Sequence, residues 1–208
     1  MKFTCVAMDF DGCLAYYNDD KTGLFKIFTD IGFTEDEARD AYGDVDEAEG
    51  ISLNSLVRSL ERKSGRTIDR NGLEEKLSSW IESSVTLFPD VLKFLEKVKA
   101  SGTPIAIVTF GNKEFQTQKI KTSKIIYDEL VVTPKDGEKF LALGKLLKHY
   151  GAPIVFVDDK PKELDNARKH LAETEISLFR IIRPIGSHIN KDAEFEHPEI
   201  KNLEEILS

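Results

Sequence analysis

Apolar residues fall in two rhythms along this chain. Short, continuous runs of strand type occur at residues 3–10, 105–110, 130–133, 154–157 and 177–182. Segments with helical spacing lie between or after them, at 91–100, 115–123, 140–150, 161–172 and 198–207. In the third of these, Phe140, Leu143, Leu147 and Tyr150 recur at intervals of three and four, which places them on one helical face. Strand runs that are apolar throughout, rather than alternating, indicate burial on both faces, as in a parallel sheet covered by helices. Alternation of such strands with helices predicts a doubly wound α/β layer.

Residues 18–87 break the rhythm and carry no strand pattern. Thr34 and Glu37 have capping-box spacing before a helical 36–42 segment. Leu53, Leu56, Val57 and Leu60 make a second stripe, closed by Gly65, and Leu73, Leu77, Trp80 and Ile81 a third. The chain therefore divides into an α/β core, 1–17 with 88–208, and a helical insert, 18–87. In open α/β folds ligands bind outside the C-terminal ends of the strands. An insert that leaves from the end of the first strand stands over that edge and is a candidate lid. Tyr16 and Tyr17, at its root, either pack in the core or line the entrance.

Composition narrows the possibilities. The 208 residues are 40% hydrophobic and 32% charged, ordinary for a globular chain and unlike disorder or a rod. With 29 basic against 37 acidic residues the net charge is −8, which argues against nucleic acid or an anionic membrane as partner. Cys5 and Cys13 are the only cysteines. An extended strand between them, at roughly 3.3 Å per residue, separates them beyond the roughly 6 Å a disulfide tolerates, so both are expected as free thiols. No apolar run approaches the roughly 20 residues that span a bilayer, and Asp9 interrupts the N-terminal apolar stretch too early for a signal peptide. A cytoplasmic location is expected.

Candidate chemistry gathers at the ends of the strand runs. Asp9 and Asp11, two apart before Gly12, should point the same way by the period of a strand. Asp158 and Asp159 end the fourth run before Lys160-Pro161. In a parallel sheet both strand ends lie on one edge, and convergent carboxylates repel unless a cation joins them. Oxygen donors alone suit Mg²⁺. Thr109 ends a third run, where its hydroxyl and the Gly111 and Asn112 amides offer an oxyanion site. Lys139 falls in the first turn of a helix, where the dipole disfavours a cation and a nearby anion would compensate. Lys135 competes for that role. Asn18-x-Asp20-x-Thr22-Gly23 has the start of a calcium loop, but the twelfth position is Thr29 rather than Glu.

The ordered set Asp9-x-Asp11-Gly12, Thr109, Lys139 and Asp158-Asp159 resembles the four motifs of the haloacid dehalogenase-like hydrolases. Leu87-Phe88-Pro89-Asp90 and Asn166-Ala167 agree with that pattern. The resemblance implies a Rossmann-like sheet of order 5-4-1-2-3 with a helical cap. It implies Asp9 as nucleophile and Asp11 as acid and base. Thr109, Phe110, Gly111 and Lys139 would bind phosphate. Mg²⁺ would be held by Asp9, the Asp11 carbonyl, and Asp158 or Asp159. An acid two residues after the nucleophile, absent from family dehalogenases, favours a phosphatase acting on a small phosphorylated metabolite. A phosphomutase, or a silent relative serving as a binding module, is the alternative.

Overall fold

The computed structural model describes residues 3–48, 50–186 and 188–207, with the side chains of 46–48 left aside. In chain order the elements are β1 (Cys5–Met8), β2 (Ala15–Tyr17), α1 (Thr22–Thr29), α2 (Glu35–Ala48), α3 (Leu53–Ser64), α4 (Leu73–Ser84), β3 (Val85–Leu87) and α5 (Val91–Ala100). There follow β4 (Ile105–Phe110), α6 (Lys113–Thr122), β5 (Glu129–Thr133), α7 (Lys139–Tyr150), β6 (Ile154–Asp158), α8 (Pro161–His170), β7 (Ile176–Ile181) and β8 (Glu199–Ile200), and the last turn is a 3₁₀ helix, Leu203–Leu207.

The main sheet runs β5-β4-β1-β6-β7-β8, and every pairing in it is parallel. This is a Rossmann-like α/β sheet with the expected order of five strands, extended by a short sixth. Alternate residues of each strand feed opposite layers. Val6 and Met8 join Val91, Phe94 and Val98 of α5 on one side. Cys5 and Ala7 join Leu143 and Leu146 of α7 and Leu164 of α8 on the other. Burial on both faces is what the continuous apolar runs encoded.

Two expectations are corrected. The 198–207 segment is not one helix: Arg180 N donates to Pro198 O, and Ile182 N to Ile200 O, so its start is drawn into the sheet as β8. Leu203 and Ile206, both buried, stand three apart and share a face of a 3₁₀ helix as well as of an α-helix. The insert region also contains a strand after all. β3 pairs antiparallel with β2 in the register Ala15↔Leu87, Tyr16↔Thr86, Tyr17↔Val85. Three residues are too few to display a period, and the partner is remote in sequence.

Helices α1 to α4 close on a second apolar cluster, including Leu24, Phe28, Leu56, Leu60, Leu73, Trp80 and Ile81, which Phe115 of α6 joins from the core. The candidate calcium loop is not one, because Thr22–Thr29 is helix α1, and the Asp19 carboxylate accepts from Lys21 N, Gly23 N and Trp80 Nε1. Tyr16 packs on Phe88 at 4.8 Å between ring centroids, and Tyr17 stacks on Trp80 at 5.0 Å. Both tyrosines make packing contacts at the root of the insert and stay partly exposed.

Buried Arg183 ties the tail to the core. Its Nε donates to Cys13 O at 3.0 Å, Nη1 pairs with Asp90 Oδ1 at 2.8 Å, and the guanidinium lies 4.4 Å from the Phe88 ring centroid. Asp90 Oδ2 accepts from Leu203 N. Replacing Arg183 by Met should lower the unfolding free energy in urea by about 3 kcal/mol, because Asp90 would stay buried without its counter-charge. A loss under about 0.5 kcal/mol would show that the pair is dispensable.

Candidate active site

The strand order reverses between β1 and β6, and at such a switch point an open parallel sheet leaves a crevice beyond its C-terminal edge. Asp9 follows β1 and Asp158 ends β6. The register Met8↔Val157 sets these two acids side by side, and Asp9 N donates to Val157 O at 2.9 Å. Oxygens of Asp9, Asp158 and Asp159 lie within 4.8 Å of one another, all three residues buried.

Lys139, 3% exposed, is the lysine that the fold brings to them; its Nζ is 2.8 Å from both Asp9 Oδ1 and Asp158 Oδ2. Lys135 is 74% exposed and faces Glu138. The Asp158 contact is a well-formed hydrogen bond, whereas Asp9 Oδ1 is close to the ammonium but accepts no aligned one. Asp158 Oδ1 takes the Lys160 amide at 2.8 Å. The cluster is thus one lysine against three carboxylates. An all-carboxylate donor set with an oxygen not fully satisfied suits a hard divalent cation. Burial opposes charge on Lys139, but Asp158 and Asp9 outweigh it and hold its pKa well above the usual lysine value. Burial, reinforced by Asp9, pushes Asp159 up to about 7, and Asp158 is raised chiefly by burial.

Small details make room for this crowding. Gly12 has φ +74°, and a Cβ there would sit 2.3 Å from Asp159 Oδ2. Only glycine fits both the turn and the approach. Glu163, fully buried on α8, accepts the Gly137 and Lys139 amides at 2.7 and 3.2 Å, so it fixes the start of α7 and with it Lys139. The sequence reading missed Glu163, since an acid in the first turn of a helix behind Pro161 passes for ordinary dipole complementation.

Asp11 is placed differently from its expected partners. Its carboxylate lies outside the acid cluster and meets Lys119 Nζ at 2.7 and 2.5 Å and Gln116 Nε2 at 3.2 Å. The metal role that the resemblance implies for Asp11 is through its backbone carbonyl, which these side-chain contacts leave untouched. Lys119 was also missed, although its spacing of four from Phe115 puts it on the inward face of α6.

Thr109 is buried at the end of β4, and its carbonyl accepts from Thr133 Oγ1. The Phe110 carbonyl accepts from Gln116 Nε2 at 2.8 Å. The Gly111 amide, expected to face an oxyanion, instead donates to Thr133 O at 3.1 Å. The Asn112 side chain caps α6 by accepting from Glu114 N and Phe115 N. Gly50 of the insert presses on this loop, where an added Cβ would be 2.6 Å from Gly111 Cα. Beside the contact is a cleft of 380 Å³ lined by Ser52, Asn54, Arg58, Arg70 and Asn112, among others.

A parallel sheet with paired acids at its switch point is a Rossmann-like α/β architecture with a carboxylate-lined site. The sequence profile of the haloacid dehalogenase-like hydrolases matches residues 3–170, and the chain belongs to that family. No curated protein sequence matches it. Among solved structures, a haloacid dehalogenase-like hydrolase from Burkholderia xenovorans superposes with a TM-score of 0.75 at 16% identity, over 98% of this chain and 94% of that one. A protein assigned as a phosphoglycolate phosphatase from Haemophilus somnus gives 0.64 at 15% identity, over 100% and 97%. One assigned as a β-phosphoglucomutase from Thermotoga maritima gives 0.63 at 18%, over 98% and 96%. L-2-haloacid dehalogenases share the fold as well, with a TM-score of 0.64 in one case. These likenesses show the fold.

The raised pKa of Asp159 carries a stability consequence. Folded Asp159 holds its proton to about pH 7, whereas in the unfolded chain it is lost near pH 4. Between those values the folded state binds more protons, so stability falls as pH rises through the window. Without divalent cations, Asp159→Asn should be more stable than wild type at pH 8 by about 1–3 kcal/mol and equal to it near pH 4. Mg²⁺ should raise the Tm of wild type and leave that of Asp158→Asn nearly unchanged. Thermal melts at both pH values check this, and a wild type insensitive to Mg²⁺ would contradict the cation site.

Proposed function

We propose that this protein is a phosphatase that hydrolyses the phosphomonoester of a small metabolite through an aspartyl-phosphate on Asp9. The observation that carries the reading is the meeting of Asp9 with Lys139 and the Asp158–Asp159 pair, while a second acid, Asp11, stands two residues on with its own partners. A phosphoryl group laid against Lys139 and the Thr109 hydroxyl would present phosphorus to the Asp9 carboxylate. Asp9 attacks in line, and the ester oxygen leaves with a proton from Asp11. Asp11 then takes a proton from water as the water oxygen displaces Asp9 from phosphorus, so one water is consumed and the acid is restored.

Asp9, Asp158 and Asp159, with the Asp11 carbonyl as the family pattern implies, would hold Mg²⁺. When bound, it supplies positive charge that offsets repulsion between the carboxylates and the phosphate. This local positive charge reconciles an anionic substrate with a net charge of −8. The helical insert, pressed by Gly50 against the loop after β4, acts in this reading as a cap. The polar cleft beside it, with Ser52, Asn54 and Arg58, suits the rest of a small hydrophilic molecule rather than a protein chain. The buried, unpaired cysteines are in keeping with a reducing, cytoplasmic setting.

Asp11 is also what separates this reading from dehalogenation, since the family's dehalogenases lack an acid at that position. Incubation with a panel of phosphomonoesters and Mg²⁺ should release inorganic phosphate from wild type. Asp9→Asn should release at least about 10³-fold less. Equal release by both proteins would remove Asp9 as the nucleophile. Halide release from 2-haloacids, without phosphate release, would favour a dehalogenase. Interconversion of sugar phosphates with little free phosphate would favour a mutase.

A further inference from the structure

We propose that Lys119, seconded by Gln116, is the positioning residue that aims the Asp11 carboxylate. The inference rests on the phosphatase reading of Asp11. Lys119 belongs to none of the four motif segments. Its side chain is 2% exposed, while that of Asp11 remains 40% exposed. A buried ammonium is costly unless it is paired. This one meets both Asp11 oxygens, at 2.7 and 2.5 Å.

Three aromatic rings surround it, with centroids 5.8 Å away for Phe10, 5.4 Å for Tyr17 and 5.3 Å for Phe115. They come from three places: the turn that carries Asp9 and Asp11, strand β2 at the root of the insert, and a helix of the core whose Phe115 packs in the insert's apolar cluster. Faces of aromatic rings attract a cation, so Lys119 has a defined seat from which to hold Asp11. Gln116 Nε2 joins the carboxylate to the Phe110 carbonyl, at 3.2 and 2.8 Å. Glycine at 111 leaves it room, since a Cβ there would be 3.0 Å from Gln116 Nε2.

A carboxylate has about four acceptor positions. The three contacts occupy the side facing α6, which leaves the exposed side for the substrate. Held this way, Asp11 has one direction in which to pass a proton to the ester oxygen as the O–P bond breaks. From the same place it accepts the proton of the attacking water as the Asp9–phosphate bond breaks. The function of Lys119 is thus exerted through Asp11 and should appear only in steps that move those protons.

Leaving-group dependence reads this out. An aryl phosphate departs as a stabilised phenolate and needs no proton from Asp11, whereas an alkyl phosphate needs one. Lys119→Met fills the aromatic seat without the charge. It should raise the ratio of kcat/KM for an aryl over an alkyl phosphate by about tenfold or more, and trapped phosphoenzyme should accumulate in steady state because water activation slows. Lys119→Arg should bring the ratio back towards wild type. Gln116→Leu should shift it the same way by a smaller factor, and carries the test if the lysine variant does not fold. Equal loss on both substrates, with the ratio unchanged in whichever variant folds, would reduce Lys119 to a structural tie and overturn the inference. An inert wild type would overturn the phosphatase reading and this inference together. An active wild type with a flat ratio would overturn the role of Lys119 alone.

Discussion

Everything about this site follows from a surplus of negative charge in a small, buried space. Parallel pairing of β1 with β6 forces Asp9 and Asp158 to be neighbours, and Asp159 follows directly. Among the described residues, Lys139 alone is inserted between them. Burial raises the cost of every unpaired carboxylate, which is why Asp158 and Asp159 are pushed towards their neutral forms. The sheet tolerates such an arrangement because its interior is secured elsewhere, by strands packed on both faces and by the Arg183–Asp90 tie. An incoming cation would release the stored repulsion. On the proposed reading, that repulsion is the binding energy available to a metal and, through it, to a phosphate.

The supports around the acids divide into two sets. On the α7 and α8 side, Glu163 fixes Lys139 through backbone amides, and Gly12 leaves the space that Asp159 occupies. On the α6 side, Lys119 and Gln116 hold Asp11 away from the cluster. The second set is shared with the helical insert. Phe115 packs into the insert's apolar cluster, the side chain of Gln118 bonds to Ser78 of α4, and Gly50 rests on Gly111. The residues that hold Asp11 are therefore on the helix that receives the insert. This links the placement of the insert to the acid and base chemistry proposed for the site.

The fold was legible because its strands are buried on both faces and its helices alternate with them, so the pattern is long and redundant. What escaped was short or remote. β3 and β8 have three and two residues, too few for a period, and each is defined by a partner strand rather than by its own residues. The motif acids could be read because strand geometry and paired spacing place them at one edge. The supporting lysine and glutamate could not. Lys119 and Glu163 look like ordinary helix-surface charges until tertiary packing buries them, and packing overrides local preference. The partners of Asp11 were hidden for the same reason, since Lys119 and Gln116 reach it from a helix more than a hundred residues further along the chain.

The central claim is that Asp9 and the Asp158–Asp159 pair grip one divalent ion and that Asp9 faces the phosphoryl group. Its most direct test is a crystal structure grown with Mn²⁺ and a beryllium fluoride mimic of a transferred phosphate. The account predicts an anomalous peak within about 2.0–2.3 Å of oxygens from Asp9 and from Asp158 or Asp159, with the mimic on Asp9 and Lys139 contacting it. An ion bound elsewhere, or a mimic absent from Asp9 while the acids keep their present positions, would contradict it.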